Sequence, residues 1–249
     1  MGTTCKNCGE KADGNYCRTC GQKTSVGKIT TSNILNEVAT GIFQVDRGFF
    51  YTLIALFTRP GNAIREYLDG KRKTYFKPVA YVLTLSTLYF LVSQSTGQNT
   101  WLDDIVTGWS NGALETSKLN VPSLLRWFTK NFAYTTLLLL PVFSLASFLS
   151  FRRLGRNFAE HLVINTYTTG QQALIYSAFA LVRTVFDFEV LEMLQFLAAI
   201  SYIFWVFWQF FRKGNRFINI LRSVLTYILY LVFSMLVLGL VTGISESFS

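Results

Sequence analysis

The sequence is short of charge: acidic and basic residues fill 15% of its 249 positions, where a soluble domain usually carries about 25%. With 51% of the chain hydrophobic, that balance argues against a water-soluble enzyme. There is one histidine, His161, too few for a catalytic metal held by imidazoles. Neither a phosphate-cradling glycine loop nor a Gly-x-Ser-x-Gly elbow occurs. Ser86, Ser144 and Ser147 have no base near them in sequence. No cysteine follows Cys20. The first thirty residues also lack the apolar stretch of a secretory signal, which predicts an N-terminus that stays in the cytoplasm.

What the chain has in quantity is apolar runs. Five approach or reach the roughly 17–25 residues a membrane-spanning helix needs: Pro78 to Ser95, Phe132 to Phe151, Leu162 to Val182, Leu191 to Phe211 and Leu221 to Gly243. The expectation is an all-α membrane protein whose residues 78–249 form a five-helix bundle. Nineteen of the 23 Lys and Arg fall before the first run or in the second-to-third and fourth-to-fifth connections. Lys118, Arg126, Lys130 and Arg183 make up the other side. The positive-inside rule then puts the N-terminus in the cytoplasm and Ser249 outside, in a cell (inner) membrane crossed several times. The Thr96–Asn131 stretch becomes the one sizeable external loop, with a short surface helix expected around Trp101-Leu102 and Ile105-Val106.

The four cysteines are Cys5 and Cys8, followed by Gly9, and Cys17 and Cys20, followed by Gly21. Two residues between paired thiols aim both at one point, and glycine permits the tight turn that faces backbone N–H groups toward sulfur. Two such knuckles make a closed tetrahedral set suited to structural Zn2+, with no open position for catalysis. Iron fits the same sulfurs in vitro. Disulfides need an oxidising compartment, which the expected topology contradicts. Residues 1–25 thus read as a zinc ribbon whose folding energy comes from the metal.

Residues 26–77 read as cytoplasmic amphipathic helices. One lies within Ser25 to Thr40, a second carries Phe49, Phe50, Leu53, Ile54 and Phe57, and a third carries Ala63, Ile64, Tyr67 and Leu68. They are too short to span and suit the headgroup layer. Lys71, Arg72, Lys73 and Lys77 follow, placed to contact anionic lipid and to fix the topology.

Several blocks carry a resemblance: Tyr16-Cys17-Arg18-Thr19-Cys20-Gly21-Gln22-Lys23, Gly48-Phe49-Phe50-Tyr51-Thr52-Leu53, Thr58-Arg59-Pro60-Gly61, Ile64 through Arg72, Tyr75 with Pro78, and Ala159-Glu160-His161-Leu162-Val163. Together they resemble a bacterial membrane-protein family, a domain of unknown function with an N-terminal zinc ribbon, frequent in Bacteroidota. The resemblance implies architecture and no activity.

Within the third run, Asn165, Thr168, Thr169 and Gln172 recur at helical spacing and form one polar face. It reads as interhelical glue or as a solute pathway. Glu160 and His161 sit at its mouth, as an interfacial cap or a proton-coupling pair, and a lipid-modifying enzyme would use the same two with nearby arginines. Two functions follow from these readings. The first is a non-enzymatic membrane scaffold or assembly protein, docking a protein partner or a second copy through its cytoplasmic head. The second is a transporter or channel for a small solute or lipid. Membrane lipids are partners in both, and nucleic acid is disfavoured because no aromatic and basic reading surface accompanies the ribbon.

Overall fold

The computed structural model describes residues 3–39, 48–114, 123–186, 188 and 190–247. Thr40, Lys118 and Ser249, used above to bound a helix, to count charge and to name the C-terminal side, lie outside them. In the small N-terminal head, strand β1 (Thr3–Thr4) pairs antiparallel with β2 (Lys11–Ala12), and a single bridge joins Tyr16 to Lys23. The helices are α1 (Thr31–Ala39), α2 (Gly48–Thr58), α3 (Pro60–Asp69), α4 (Pro78–Thr96), α5 (Trp101–Leu114), α6 (Ser123–Lys130), α7 (Phe132–Phe151), α8 (Phe158–Arg183), α9 (Val190–Phe210) and α10 (Arg216–Ser247).

Helix α8 forms the centre of the bundle. It packs against α4, α7 and α9, while α10 closes the outside against α7 and α9. The α4–α8 pair is the most extensive contact between elements. It buries Tyr81, Tyr89, Tyr167 and Ile164 almost completely. Ends are set locally: α4 opens on Pro78 and closes on Gly97 in the left-handed conformation. Asn157 and Glu160 start α8 with a reciprocal capping box. Pro141 lies inside α7, which continues through it.

Among the described residues, four helices are long and apolar enough to cross a membrane: Pro78–Thr96, Phe132–Leu154 with its terminal 3-10 turn, Val190–Phe210 and Arg216–Val237. Helix α8 is equally long, but its buried Asn165, Thr166, Thr168 and Gln171 leave it outside that set. The outward faces of α9 and α10 expose Phe196, Leu197, Leu221, Leu225, Met235 and Leu240. So much unpartnered apolar surface suits lipid rather than water.

The bundle has two distinct ends. The α7–α8 and α9–α10 connections lie beside the head and α3: Asn157 Nδ2 donates to Ile29 O at 3.3 Å, and Arg212 Nη2 donates to Asn62 Oδ1 at 2.7 Å. At the opposite end Gln98 Nε2 donates to Ala180 O at 3.0 Å, and Arg183 pairs with Glu192 at 2.5 Å.

Helix α3 brackets the head end. A side chain at Gly61 would collide with Gln209 and Phe210 at 2.4 Å, so glycine is what lets α3 rest on α9. Arg65 then reaches the main-chain oxygens of Gln209 and Phe210, 2.7 Å from the latter. A cation there satisfies carbonyls left open at the C-terminus of α9.

Candidate metal centre and bundle cavity

The two knuckles fold identically. Cys5 N–H donates to Glu10 O at 2.8 Å and Gly9 N–H to Cys5 O at 2.9 Å; Cys17 N–H donates to Gln22 O and Gly21 N–H to Cys17 O, each at 2.8 Å. Gly9 and Gly21 hold φ of 82° and 70°, a region side-chain-bearing residues rarely enter. The result brings Cys5, Cys8, Cys17 and Cys20 together, with all four sulfurs within 4.8 Å of one another. Cys5 and Cys20 are 3.6 Å apart, and Cys8 and Cys17 are 3.5 Å apart. A tetrahedron with zinc–sulfur bonds of ~2.3 Å has edges of about 3.8 Å, so the donor set fits a four-coordinate metal ion.

Electrostatics favour the same conclusion. The backbone N–H of Cys8, then that of Asn7, lowers the Cys5 thiol. The N–H of Cys20 outweighs desolvation, with help from Thr19, and brings Cys17 down to about 6. For Cys8 the Glu10 N–H pulls downward, but desolvation and the sulfurs of Cys17, Cys20 and Cys5 push it up to about 12. Cys5 and Cys17 are drawn toward the thiolate while Cys8 is held back, and a cation among the sulfurs would offset that cost at Cys8.

The head is clamped to the chain's own basic loop. Gln22, 5% exposed, donates Nε2 to Gly70 O at 2.9 Å and accepts through Oε1 from the N–H groups of Arg72 and Lys73, each at 3.0 Å. Asn7 Oδ1 accepts from the Thr74 N–H at 3.1 Å and its hydroxyl at 2.9 Å. Each knuckle therefore contributes one amide that reads the main chain of 70–74. Of the four cations expected to face lipid, Lys71, Lys73 and Lys77 are exposed. Arg72 instead turns inward and donates to Gly27 O at 2.5 Å. Lys71 also pairs with Glu66 at 3.2 Å. Glu66 further pairs with Arg59 and accepts from Tyr75 Oη at 3.0 Å.

The polar face of α8 divides between two environments. In the head-side half, Asn165 Nδ2 donates to Ser147 Oγ at 2.7 Å and to Ser144 Oγ at 3.3 Å. His161 Nδ1 lies 3.0 Å from Ser147 Oγ. Sequence separation suggested no base near Ser147, and the structure corrects that. Helices α7 and α8 run antiparallel across a short connection, so positions 147 and 161 face each other. Ser144, Ser147, His161 and Asn165 are each 0% exposed, and His161 packs against the rings of Phe148 and Phe211. The cluster is thus buried and hydrogen-bonded, with His161 Nε2 and Asn165 Oδ1 left without a partner. Glu160 takes no part: its carboxylate holds Arg156 at 3.1 Å and the Asn157 N–H at 2.9 Å. Thr168 closes on its own helix, donating to Ile164 O at 2.8 Å.

In the half away from the head, Thr169 and Gln172 line a cavity of about 630 Å³, within the range typical of small-molecule sites. Its walls come from α4 to α10, with Phe128 the contribution of α6. Tyr89, Phe132, Phe143, Tyr176, Tyr227 and Tyr230 supply most of the aromatic surface. Ser86 Oγ and Thr136 Oγ1 also line it, buried and without a hydrogen-bond partner. Arg183, Glu192 and Asp104 stand at its far end, and exposed Leu138, Phe196 and Leu231 at its side. Of the polar face read from the sequence of the third run, Thr169 and Gln172 line this cavity.

No curated protein and no solved structure matches the chain. Residues 46–90, which take in α2, α3, the clamped loop and α4 as far as Phe90, match a family described as a protein of unknown function, DUF3667.

Proposed function

We propose that the protein is a membrane-embedded binding or transport protein for a small amphipathic molecule, a lipid or a lipid-like solute, held in the bundle cavity. The observation that carries this reading is the 630 Å³ space lined by aromatic rings and by the unpartnered hydroxyls of Ser86 and Thr136. Hydrogen-bonding groups without partners cost about 1–3 kcal/mol each when buried, and a bound polar group would offset that cost. The exposed apolar residues at the side of the cavity suit entry from the bilayer. In this reading α8 is a fifth span, shielded from lipid by the four more apolar helices. The charge of the connections supports a head on the cytoplasmic side, and the family resemblance supports the inner membrane of a bacterial cell.

The ion is structural zinc, a choice that rests on four cysteine sulfurs at tetrahedral spacing. Its task is to hold Asn7 and Gln22 against the loop that leads into α4.

A docking role for the head is the second reading. It is favoured by the face turned away from the clamp, where Tyr16 is 63% exposed beside the exposed Lys11, Arg18 and Lys23. The two readings separate experimentally. Small molecules extracted from purified protein, identified by mass spectrometry, should diminish in Thr136→Phe if the cavity is the site. Deleting residues 1–25 should instead abolish recovery of a protein partner if the head is the docking surface. Equal small-molecule content in wild type and Thr136→Phe rejects the cavity reading.

A further inference from the structure

The head end of the bundle carries a second unassigned feature, independent of the cavity. Three guanidinium groups from distant parts of the chain meet there: Arg65 on α3, Arg156 in the α7–α8 connection and Arg212 in the α9–α10 connection. Arg65 and Arg212 donate to the same neutral acceptor, Asn62 Oδ1, with Arg212 at 2.7 Å. The guanidinium carbons of Arg65 and Arg156 lie 5.9 and 5.3 Å from the centre of the Phe210 ring.

Negative charge around them is scarce. Arg156 pairs with Glu160 at 3.1 Å and stands 4.0 Å from Asp69. Glu160 is already engaged in the α8 capping box, and Asp69 is 68% exposed. Among the described residues, Arg65 and Arg212 form no ion pair. Burial, followed by the nearby Arg212, holds the Arg65 guanidinium below its ordinary value. Like charges a few ångströms apart repel by several times the energy of a hydrogen bond unless solvent or a counter-charge intervenes. The trio sits where the apolar α9 ends, and the last two turns of that helix carry the half-exposed Trp205 and Trp208. Such rings mark the headgroup level of a bilayer.

We propose that Arg65, Arg156 and Arg212 bind the phosphate of an anionic phospholipid headgroup. The guanidinium fork matches phosphate oxygens in pairs, and basic pockets between helices at this depth are suited to anionic lipids. The lysines of the loop are a poorer site, because Lys71 is paired with Glu66 and Lys73 and Lys77 share no acceptor with another cation. Arg65 is left unchanged in the test, since it also caps α9.

The full-length protein in detergent is offered equimolar phosphatidylglycerol and phosphatidylcholine with identical acyl chains, and bound lipid is read by native mass spectrometry. Wild type should retain phosphatidylglycerol in preference. Each arginine near the surface should contribute about fivefold. Arg212→Gln should therefore lower the preference about fivefold, and Arg156→Gln with Arg212→Gln about twenty-fivefold. The paired control Lys71→Gln with Lys73→Gln should change it less than about twofold. Arg212→Lys, which keeps the charge and loses the fork, should fall between wild type and Arg212→Gln, and it serves if the glutamine variants do not fold. Equal retention of the two lipids overturns the proposal. So does a larger loss from the lysine pair than from the arginines. Displacement of phosphatidylglycerol by millimolar inorganic phosphate, with the phosphate itself bound and lost in Arg212→Gln, reassigns the site to a free anion and rejects the lipid.

Discussion

Cys8 and Cys17 occupy opposite electrostatic positions within one set of ligands, the first pushed up to about 12 and the second drawn down to about 6. A head with two two-residue strands and so small a core depends on a metal ion for its folding energy. Cys8→Ser should therefore unfold the head while leaving the helices inserted. Metal content by elemental analysis should fall well below one ion per chain, and unchanged stoichiometry would falsify the assignment. Ser147 poses a different question. Its hydroxyl is shared by His161 and Asn165, so Ser147→Ala strands His161 Nδ1, leaves Asn165 Nδ2 with Ser144 alone, and should cost about 1–3 kcal/mol for the stranded group. A lowered unfolding midpoint with ligand binding unchanged is the expected outcome, as a structural lattice requires. Glu66 gives a pH dependence. Desolvation pushes its carboxyl up, but bonds from Arg59, Lys71 and Tyr75 outweigh this and hold it below 4.5. A depressed value adds stability above the ordinary value and loses it as pH falls through the folded one. Acidification below about 4.5 should lower the unfolding midpoint of wild type more than that of Glu66→Gln.

Elements differ in how openly the sequence announced them. Helices α4, α7, α9 and α10 follow from apolar runs carrying at most one charge each, and α2 and α3 from helical spacing broken at Arg59-Pro60-Gly61. Those signals are local, and local signals survive without tertiary knowledge. The clamp between head and loop was not legible. Asn7 and Gln22 stand inside the cysteine motifs, where spacing points to the thiols, and their partners lie 48 to 67 residues away. The Ser147–His161 contact was missed for a similar reason, although reflecting the sequence about the α7–α8 connection does pair the two positions. The clamp itself predicts that Gln22→Ala keeps the metal and frees the loop. Removing one buried amide leaves Gly70 O and two N–H groups unmatched, about 1–3 kcal/mol for each group that water does not reach. Hydrogen exchange at residues 70–74 should rise while metal content stays constant. Unchanged exchange there would mean the head does not restrain the loop.

Across the whole molecule, polarity sorts by depth and by end. Apolar α9 and α10 face outward, polar α8 lies at the centre, arginines gather at the head end, and the cavity opens in the other half. A membrane protein was readable from composition. The cavity was not, because Ser86, Thr136 and Gln172 belong to three different helices and only the packing register brings them to one space. The central claim is that this space holds an amphipathic molecule, and the most direct measurement is equilibrium binding of a neutral fluorescent amphipath to the purified full-length protein. The account predicts saturable binding near one molecule per chain, weakened about tenfold or more by Thr136→Phe with the unfolding midpoint preserved, on the order of 1.4 kcal/mol or above. Binding that does not saturate, or that Thr136→Phe leaves unchanged, would contradict it.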